Sequence, residues 1–145
     1  MKKILMLVFL LIPVCAIAAG EDIGLTAHNL FDTRISLGLS SNIKHRQLVN
    51  MRAQMAATQT IIGLLAEEKF GQASEVSRAK LALSNEMKQI YDLSNNEDYK
   101  NLGLAFHNSA DELSTALQTK DMKKSLQALR NTMDYCVQCH NKFRQ

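Results

Sequence analysis

The chain has 145 residues, enough for one domain with one core, and its formal charge is only +3. The 17 basic residues do not form a stripe with interleaved aromatic residues, which argues against a nucleic-acid partner. Alanine, leucine, lysine, glutamine and methionine are frequent, and alternating runs of valine, isoleucine and threonine are scarce, so we expect an all-α protein.

Residues 1–18 have the pattern of a cleavable signal peptide. Lys2 and Lys3 precede an apolar run, and Ala16-Ile17-Ala18 supplies a cleavage site of small residues. The run is shorter than the roughly 20 apolar residues that span a bilayer, so we expect no stable membrane anchor. Cleavage after Ala18 removes Cys15 and both lysines, which lowers the formal charge from +3 to about +1. We therefore expect a periplasmic protein.

Residues 19–41 are predicted to form an extended N-terminal arm. The segment contains three glycines and scattered serine, threonine and asparagine, without a clear helical or strand period. Its apolar residues, including Leu37, indicate that the arm lies against the body of the protein. Residues 42–145 are predicted to form the folded domain.

A first helix is predicted from Ser41 or Asn42 to about Lys69, with Gly71 as a left-handed cap after it. Its apolar residues fall within a sector about 100° wide, which predicts a core-facing stripe. That stripe consists of Leu48, Met51, Met55, Ile62 and Leu65, with Asn50 and Ala57 on the opposite side.

Three more amphipathic helices are predicted over residues 72–93, 97–118 and 121–143. Asp121 is the expected N-cap of the last helix. Four such helices with short links predict an antiparallel, up-down-up-down four-helix bundle. The apolar stripe of the last helix ends in Cys136 and His140, so these two side chains should face the core.

The most specific chemical signal is Cys136-Val137-Gln138-Cys139-His140. The pattern C-x-x-C-H is the attachment signature of c-type haem, in which two thiols add to the vinyl groups and the imidazole binds the iron. A zinc site needs about four ligands, and a redox dithiol usually follows a strand. The sequence offers neither, so we predict one covalent haem c on Cys136 and Cys139, with His140 as an axial iron ligand.

Residues 42–145 resemble the class II c-type cytochromes, the family of cytochrome c′. The resemblance rests on the motif followed by Phe143 and Arg144, and on His45-Arg46-Gln47 in the first helix. It implies a haem-binding four-helix bundle, and a homodimer formed through the first two helices. It also implies that the first helix supplies the group at the sixth iron position, which is apolar in high-spin members and methionine in low-spin members.

If the family's first helix is aligned on Arg46, Asn50 occupies the sixth iron position. The apolar stripe instead places Met51 in the interior. We predict Met51 as the distal iron ligand, with Met55 as second choice and simple core packing of Met51 as the open alternative. Arg144 and Arg52 could pair with haem propionates. The predicted haem contacts are Leu48, Arg52, Met55, Phe106, Phe143 and Arg144.

Two functions remain open from the sequence. With Met51 and His140 on the iron, the protein would be a periplasmic electron carrier that meets redox partner proteins. With His140 alone, it would be a five-coordinate protein that binds nitric oxide or carbon monoxide. A peroxidase needs a distal acid or base such as histidine, and none lies at the centre of the first stripe, so we expect no enzyme activity. His45 and His107 are expected to be partly exposed.

Overall fold

The computed structural model describes residues 32–145, so the predicted signal peptide and the arm up to residue 31 lie outside it. Residues Thr33–Gln145 form one compact unit. In this part of the chain, no helix is long and apolar enough to cross a membrane. The elements are β1 (Ile35–Ser36), α1 (Ser41–Ala66), α2 (Phe70–Lys80), α3 (Asn85–Asp92), α4 (Glu97–Gln118), α5 (Met122–Lys142) and β2 (Phe143–Arg144).

The arrangement confirms the predicted all-α four-helix bundle. The two short helices α2 and α3 together take the place of its second helix. Helix α4 packs against both α2 and α5, and α1 packs against α2. Side-chain caps define the helix starts: the Asn96 Oδ1 accepts from the Tyr99 N–H at 3.0 Å, and the Asp121 Oδ1 accepts from the Lys124 N–H at 3.0 Å. The predicted third and fourth helices are confirmed as α4 and α5, and Asp121 is the predicted cap of the last one.

The second predicted helix is wrong as a continuous element, because residues 81–84 separate α2 from α3. Ser84 caps α3, its hydroxyl accepting from the Met87 N–H at 3.1 Å. Apolar residues continue at helical spacing across the break, as at Leu83 and Met87, and this spacing hid the capping signal in the sequence.

The predicted cap at Gly71 is also wrong, since Gly71 lies inside α2. The turn between α1 and α2 is made by residues 67–69, and Glu68 takes the positive φ of 55° instead.

The predicted apolar stripe of α1 is wrong at two of its five positions, whereas Leu65 is buried and Leu48 and Met51 are half-buried as parts of it. Met55 is 74% exposed and Ile62 is 49% exposed, whereas Ala57, placed on the opposite side, is buried. Apolar side chains occur all around this helix, so spacing alone could not select its buried face. The face that packs inward consists of Gln47, Ala57, Ile61 and Leu65.

Two groups of buried side chains occupy different parts of the bundle. The packing cluster joins α1, α2, α4 and α5, and the aromatic cluster joins α3, α4 and β2. The packing cluster includes Ile61, Leu65, Ala73, Ala110, Leu113, Leu117 and Leu129. The aromatic cluster consists of Met87, Ile90, Tyr91, Tyr99 and Phe143, with Leu37 and Cys139 packed against it.

Small residues bring α2 and α4 close together beside the packing cluster. The Ser74 hydroxyl donates to the Ser114 carbonyl at 3.0 Å, and the Ser77 hydroxyl donates to the Ala110 carbonyl at 2.9 Å. These hydroxyls are buried and satisfied, so this interface carries no desolvation penalty from unpaired groups.

The described part of the arm lies against the body of the protein. Strand β1 pairs in parallel with β2, with Ile35 opposite Phe143 and Ser36 opposite Arg144. The Leu37 N–H extends this pairing by donating to the Arg144 carbonyl at 3.0 Å. The arm is therefore joined to the residues that directly follow the motif helix.

Candidate haem site

The motif faces a small cavity of about 60 Å³ among α1, α3, α4 and α5. Helix α5 contributes Cys136, Cys139 and His140 to the lining. Cys136 and His140 are nevertheless exposed and Cys139 is half-buried, so the expectation that Cys136 and His140 face the core is wrong. The other lining residues are Gln47, Met51 and Gln54 from α1, Met87 and Tyr91 from α3, Tyr99, Leu102, Gly103 and Phe106 from α4, and Tyr135 from α5.

Some of the predicted site residues lie elsewhere. Leu48 is half-buried on α1, while Arg52 and Met55 are exposed, and none of them lines the cavity. Phe143 is buried in the aromatic cluster, with its ring 5.7 Å from that of Tyr99. Arg144 is exposed and donates from Nε to the Arg34 carbonyl at 3.3 Å. Of the predicted distal ligands and haem contacts, Met51 and Phe106 therefore share the cavity with the motif.

The sequence prediction did not include the two glutamines of α1 or the α3 residues of the lining. Gln47 and Gln54 were overlooked because only apolar residues were counted toward the inward face of α1. Met87 and Tyr91 follow each other at i and i+4 on α3, a spacing that puts both side chains on one face and that could have identified them.

The two motif thiols are poor candidates for redox chemistry of their own. Burial raises the pKa of Cys136, and burial with the neighbouring Cys136 raises the pKa of Cys139 to about 11. Reactive dithiols need a lowered pKa so that the thiolate is present at neutral pH.

Met51 is half-buried and lines the cavity, with its Sδ 3.6 Å from the Gln145 Nε2. Asn50 is also half-buried, and its Nδ2 donates to the Met87 Sδ at 3.3 Å, so the expectation that Asn50 points away from the core is wrong. Asn50 is nevertheless not among the lining residues. Two thioethers, those of Met51 and Met87, therefore share the cavity with His140.

Three buried polar atoms in the described residues have no hydrogen-bond partner: Gln47 Oε1, Tyr99 Oη and Gln145 Oε1. Gln47 and Tyr99 line the cavity, and Gln145 contacts the Met51 sulfur. Leaving a buried polar group unpaired costs about 1–3 kcal/mol, so such groups normally have a partner in the functional protein. Their grouping around the motif indicates that a further polar molecule belongs in this region.

The donor set of the cavity fits a haem. Two thiols can bind the vinyl groups, and an imidazole and a thioether can bind the iron. The cavity is smaller than the roughly 300–1,000 Å³ of ordinary ligand pockets, so its side chains must move apart around a macrocycle. Helices α1 and α5 are not in extensive contact with each other.

A buried hydrogen-bond chain holds one wall of the cavity. His107 is 1% exposed, which corrects the prediction of partial exposure, and its Nδ1–H donates to the Leu81 carbonyl. Its Nε2 accepts from the Tyr91 hydroxyl at 3.1 Å. Burial lowers the pKa of His107 and raises that of Tyr91, so both groups are neutral.

The ring of Tyr91 lies directly over Gly103 of α4. A Cβ added to Gly103 would lie 2.3 Å from the Tyr91 Cζ, so only glycine leaves room for this ring. The chain Leu81–His107–Tyr91 and the absence of a side chain at position 103 together fix how Tyr91 enters the cavity.

Residues 44–144 match the protein-family model described as cytochrome C′. The chain belongs to the cytochrome c′ family. It is thus a cytochrome that binds haem c, and the resemblance predicted from the motif and the first helix is confirmed. Comparisons with curated proteins and with solved structures gave no significant match.

Proposed function

We propose that this cytochrome is a periplasmic electron carrier with one haem c attached covalently through Cys136 and Cys139. His140 is the proximal iron ligand and Met51 the distal one. The observation that carries the proposal is that both cysteines, His140 and Met51 line one cavity, although Met51 is far from the motif in sequence.

The haem supplies one-electron chemistry, and the protein determines how that chemistry is used. A thioether on the second axial position raises the reduction potential and occupies the site at which a small ligand would bind. The aromatic and methionine side chains around the cavity would limit the access of water to a haem held there, and the exposed end of α5 would allow redox partner proteins to approach it.

Met51 is preferred to Met87 for two reasons. Members of the family supply the sixth group from the first helix, and Met51 is the thioether on α1 that lines the cavity. The Met87 sulfur already accepts a hydrogen bond from Asn50 and belongs to the buried aromatic cluster.

One observation favours the alternative of a five-coordinate protein that binds nitric oxide or carbon monoxide. The Met51 sulfur lies 3.6 Å from the Gln145 amide nitrogen, and this contact could hold the thioether away from iron. The sixth position would then be open to a diatomic gas, with Leu102 and Phe106 among the residues of the lining.

Titration of the ferrous protein with carbon monoxide separates these functions. We expect no binding by the wild type and tight binding by Met51→Leu, because removal of the thioether opens the sixth position. Met55→Leu is the matched control, since Met55 lies one turn further along α1 with an exposed side chain. Saturation of the wild type by stoichiometric carbon monoxide would instead establish the gas-binding function.

We also propose that the cytochrome is not an enzyme and forms a homodimer. His140 is the only histidine among the cavity-lining residues, which leaves no second imidazole there for distal acid–base catalysis.

Exposed Val49, Met55 and Ile62 on α1 offer apolar surface for a second copy. Sedimentation tests the dimer, and N-terminal sequencing of the periplasmic protein, with Ala19 expected first, tests export.

A further inference from the structure

The C-terminal end of α5 has an unusual cap. The last carbonyl groups of a helix lack partners within the helix and need donors from elsewhere. Here the Phe143 N–H donates to the Cys139 carbonyl, and Arg34 Nη1 donates to the His140 carbonyl at 3.2 Å. The guanidinium that caps this helix therefore comes from the N-terminal arm and binds the main chain of the iron ligand itself.

Several contacts hold the arm in this place. The parallel pairing of β1 with β2 and the hydrogen bond from the Leu37 N–H to the Arg144 carbonyl join the arm to the residues after the motif. The Arg144 Nε returns a hydrogen bond to the Arg34 carbonyl at 3.3 Å. The Leu37 side chain packs on the aromatic cluster, against which Cys139 also packs.

The electrostatics of the contact are favourable. The C-terminal end of a helix carries partial negative charge, and a basic side chain that bonds its last carbonyls stabilises that end. Arg34 lies outside residues 44–144, the part of the chain that matches the family model. The cap therefore involves a residue outside the part of the chain that the family model matches.

We propose that Arg34 is a positioning residue for the haem iron. By binding the His140 carbonyl, Arg34 fixes the last turn of α5 and places a positive charge near the proximal ligand. This inference rests on the proposed function, in which His140 binds iron. A nearby cation disfavours the more positively charged ferric state, so Arg34 raises the reduction potential.

Redox titration of holoprotein variants tests this role. We expect Arg34→Ala and Arg34→Gln to shift the midpoint to lower potential and to alter the ferric electron paramagnetic resonance signal, which reports axial ligand geometry. Arg34→Lys, which keeps the charge, should retain most of the wild-type midpoint. Arg130→Ala removes an exposed arginine elsewhere on α5 and should leave both measurements unchanged.

A lower melting temperature of Arg34→Ala with unchanged midpoint and resonance signal would overturn the inference, because the arm would then only stabilise the fold. Since Arg34 is exposed, the glutamine variant is expected to fold and load haem even if the alanine variant does not. His140→Ala distinguishes a failure of the Arg34 inference from a failure of the proposed iron ligation by His140. If its spectrum equals that of the wild type, the proposed ligation itself fails, whatever Arg34 does.

Discussion

The two ends of this bundle are built for different tasks. In the packing cluster, Ile61, Leu113 and Leu117 are completely buried, and the neighbouring serine hydroxyls donate to carbonyls of the facing helix. Around the motif, the lining is rich in tyrosine, methionine and glutamine, and polar atoms of Gln47 and Tyr99 lack partners. We infer that the packing cluster stabilises the fold and that the proposed haem completes the other end.

The packing cluster should stabilise the protein with or without haem, since its contacts involve only side chains of the chain. The cavity end should gain most of its stability from the bound cofactor, because a ligand that binds only the folded state shifts the folding equilibrium.

The largest effect is expected at the cavity end of the bundle, on the retention of haem. Replacing both Cys136 and Cys139 by serine should abolish covalent haem, because hydroxyls do not form the thioether bonds that retain it. Haem-dependent staining of the denatured protein measures this. Val137→Ser, an exposed position between the two cysteines, is the control and should keep full attachment. Haem that stays with the denatured double variant would contradict the assignment.

At the packing end, Leu113→Ala should destabilise the fold by about 2–5 kcal/mol, because it leaves a cavity in a fully buried site. Urea unfolding measures the change in free energy of unfolding. Leu126→Ala removes the same atoms from a side chain that is 50% exposed and should cost much less. Equal losses in the two variants would show that the packing cluster is not the stabilising end.

Gly103→Ala should destabilise the protein by about 1–3 kcal/mol, because the new methyl group overlaps the Tyr91 ring. It should also alter the visible haem spectrum, since Tyr91 would move within the cavity. Gly63→Ala is the matched control, with no atom near the added Cβ, and should stabilise α1 by roughly 0.5–1 kcal/mol. A neutral Gly103→Ala would mean that Tyr91 is not fixed there.

The smallest expected effect is a pH dependence due to His107. Burial lowers its pKa below the ordinary value of 6.5, so in acid the unfolded chain takes up a proton that the folded protein refuses. Stability should therefore fall as the pH drops below about 6.5, by at most ~1.4 kcal/mol per pH unit.

Urea unfolding at pH 7.5 and pH 5 measures this contribution as the difference between the wild type and His107→Gln. The glutamine variant should lose less stability in acid. His45→Gln, at an exposed site, should behave like the wild type. Identical pH profiles for the wild type and His107→Gln would contradict the buried, neutral imidazole.

The parts of the structure predictable from sequence were those set by local chemistry. The haem motif, the cap at Asp121 and the extents of α4 and α5 depend on residues close together in the chain. These signals act within one or two helical turns, so no tertiary contact was needed to interpret them.

The errors occurred where tertiary packing decides the outcome. Helix α1 has apolar residues on several sides, so only its neighbours could select the face that includes Gln47 and Ala57. The burial of His107 depends on the Leu81 carbonyl, which is free to accept because α2 ends there. Because the apolar spacing continues across residues 81–84, the sequence pattern did not indicate that the Leu81 carbonyl would be available to His107.

The central claim is that Met51 and His140 bind the same iron across one cavity. The absorption spectrum of the oxidised protein tests it most directly, through the sulfur-to-iron band at its red end. We predict that the wild type shows this band, that Met51→Leu loses it, and that Met87→Leu keeps it. A wild type without the band, or a band that survives in Met51→Leu and disappears in Met87→Leu, would contradict the account.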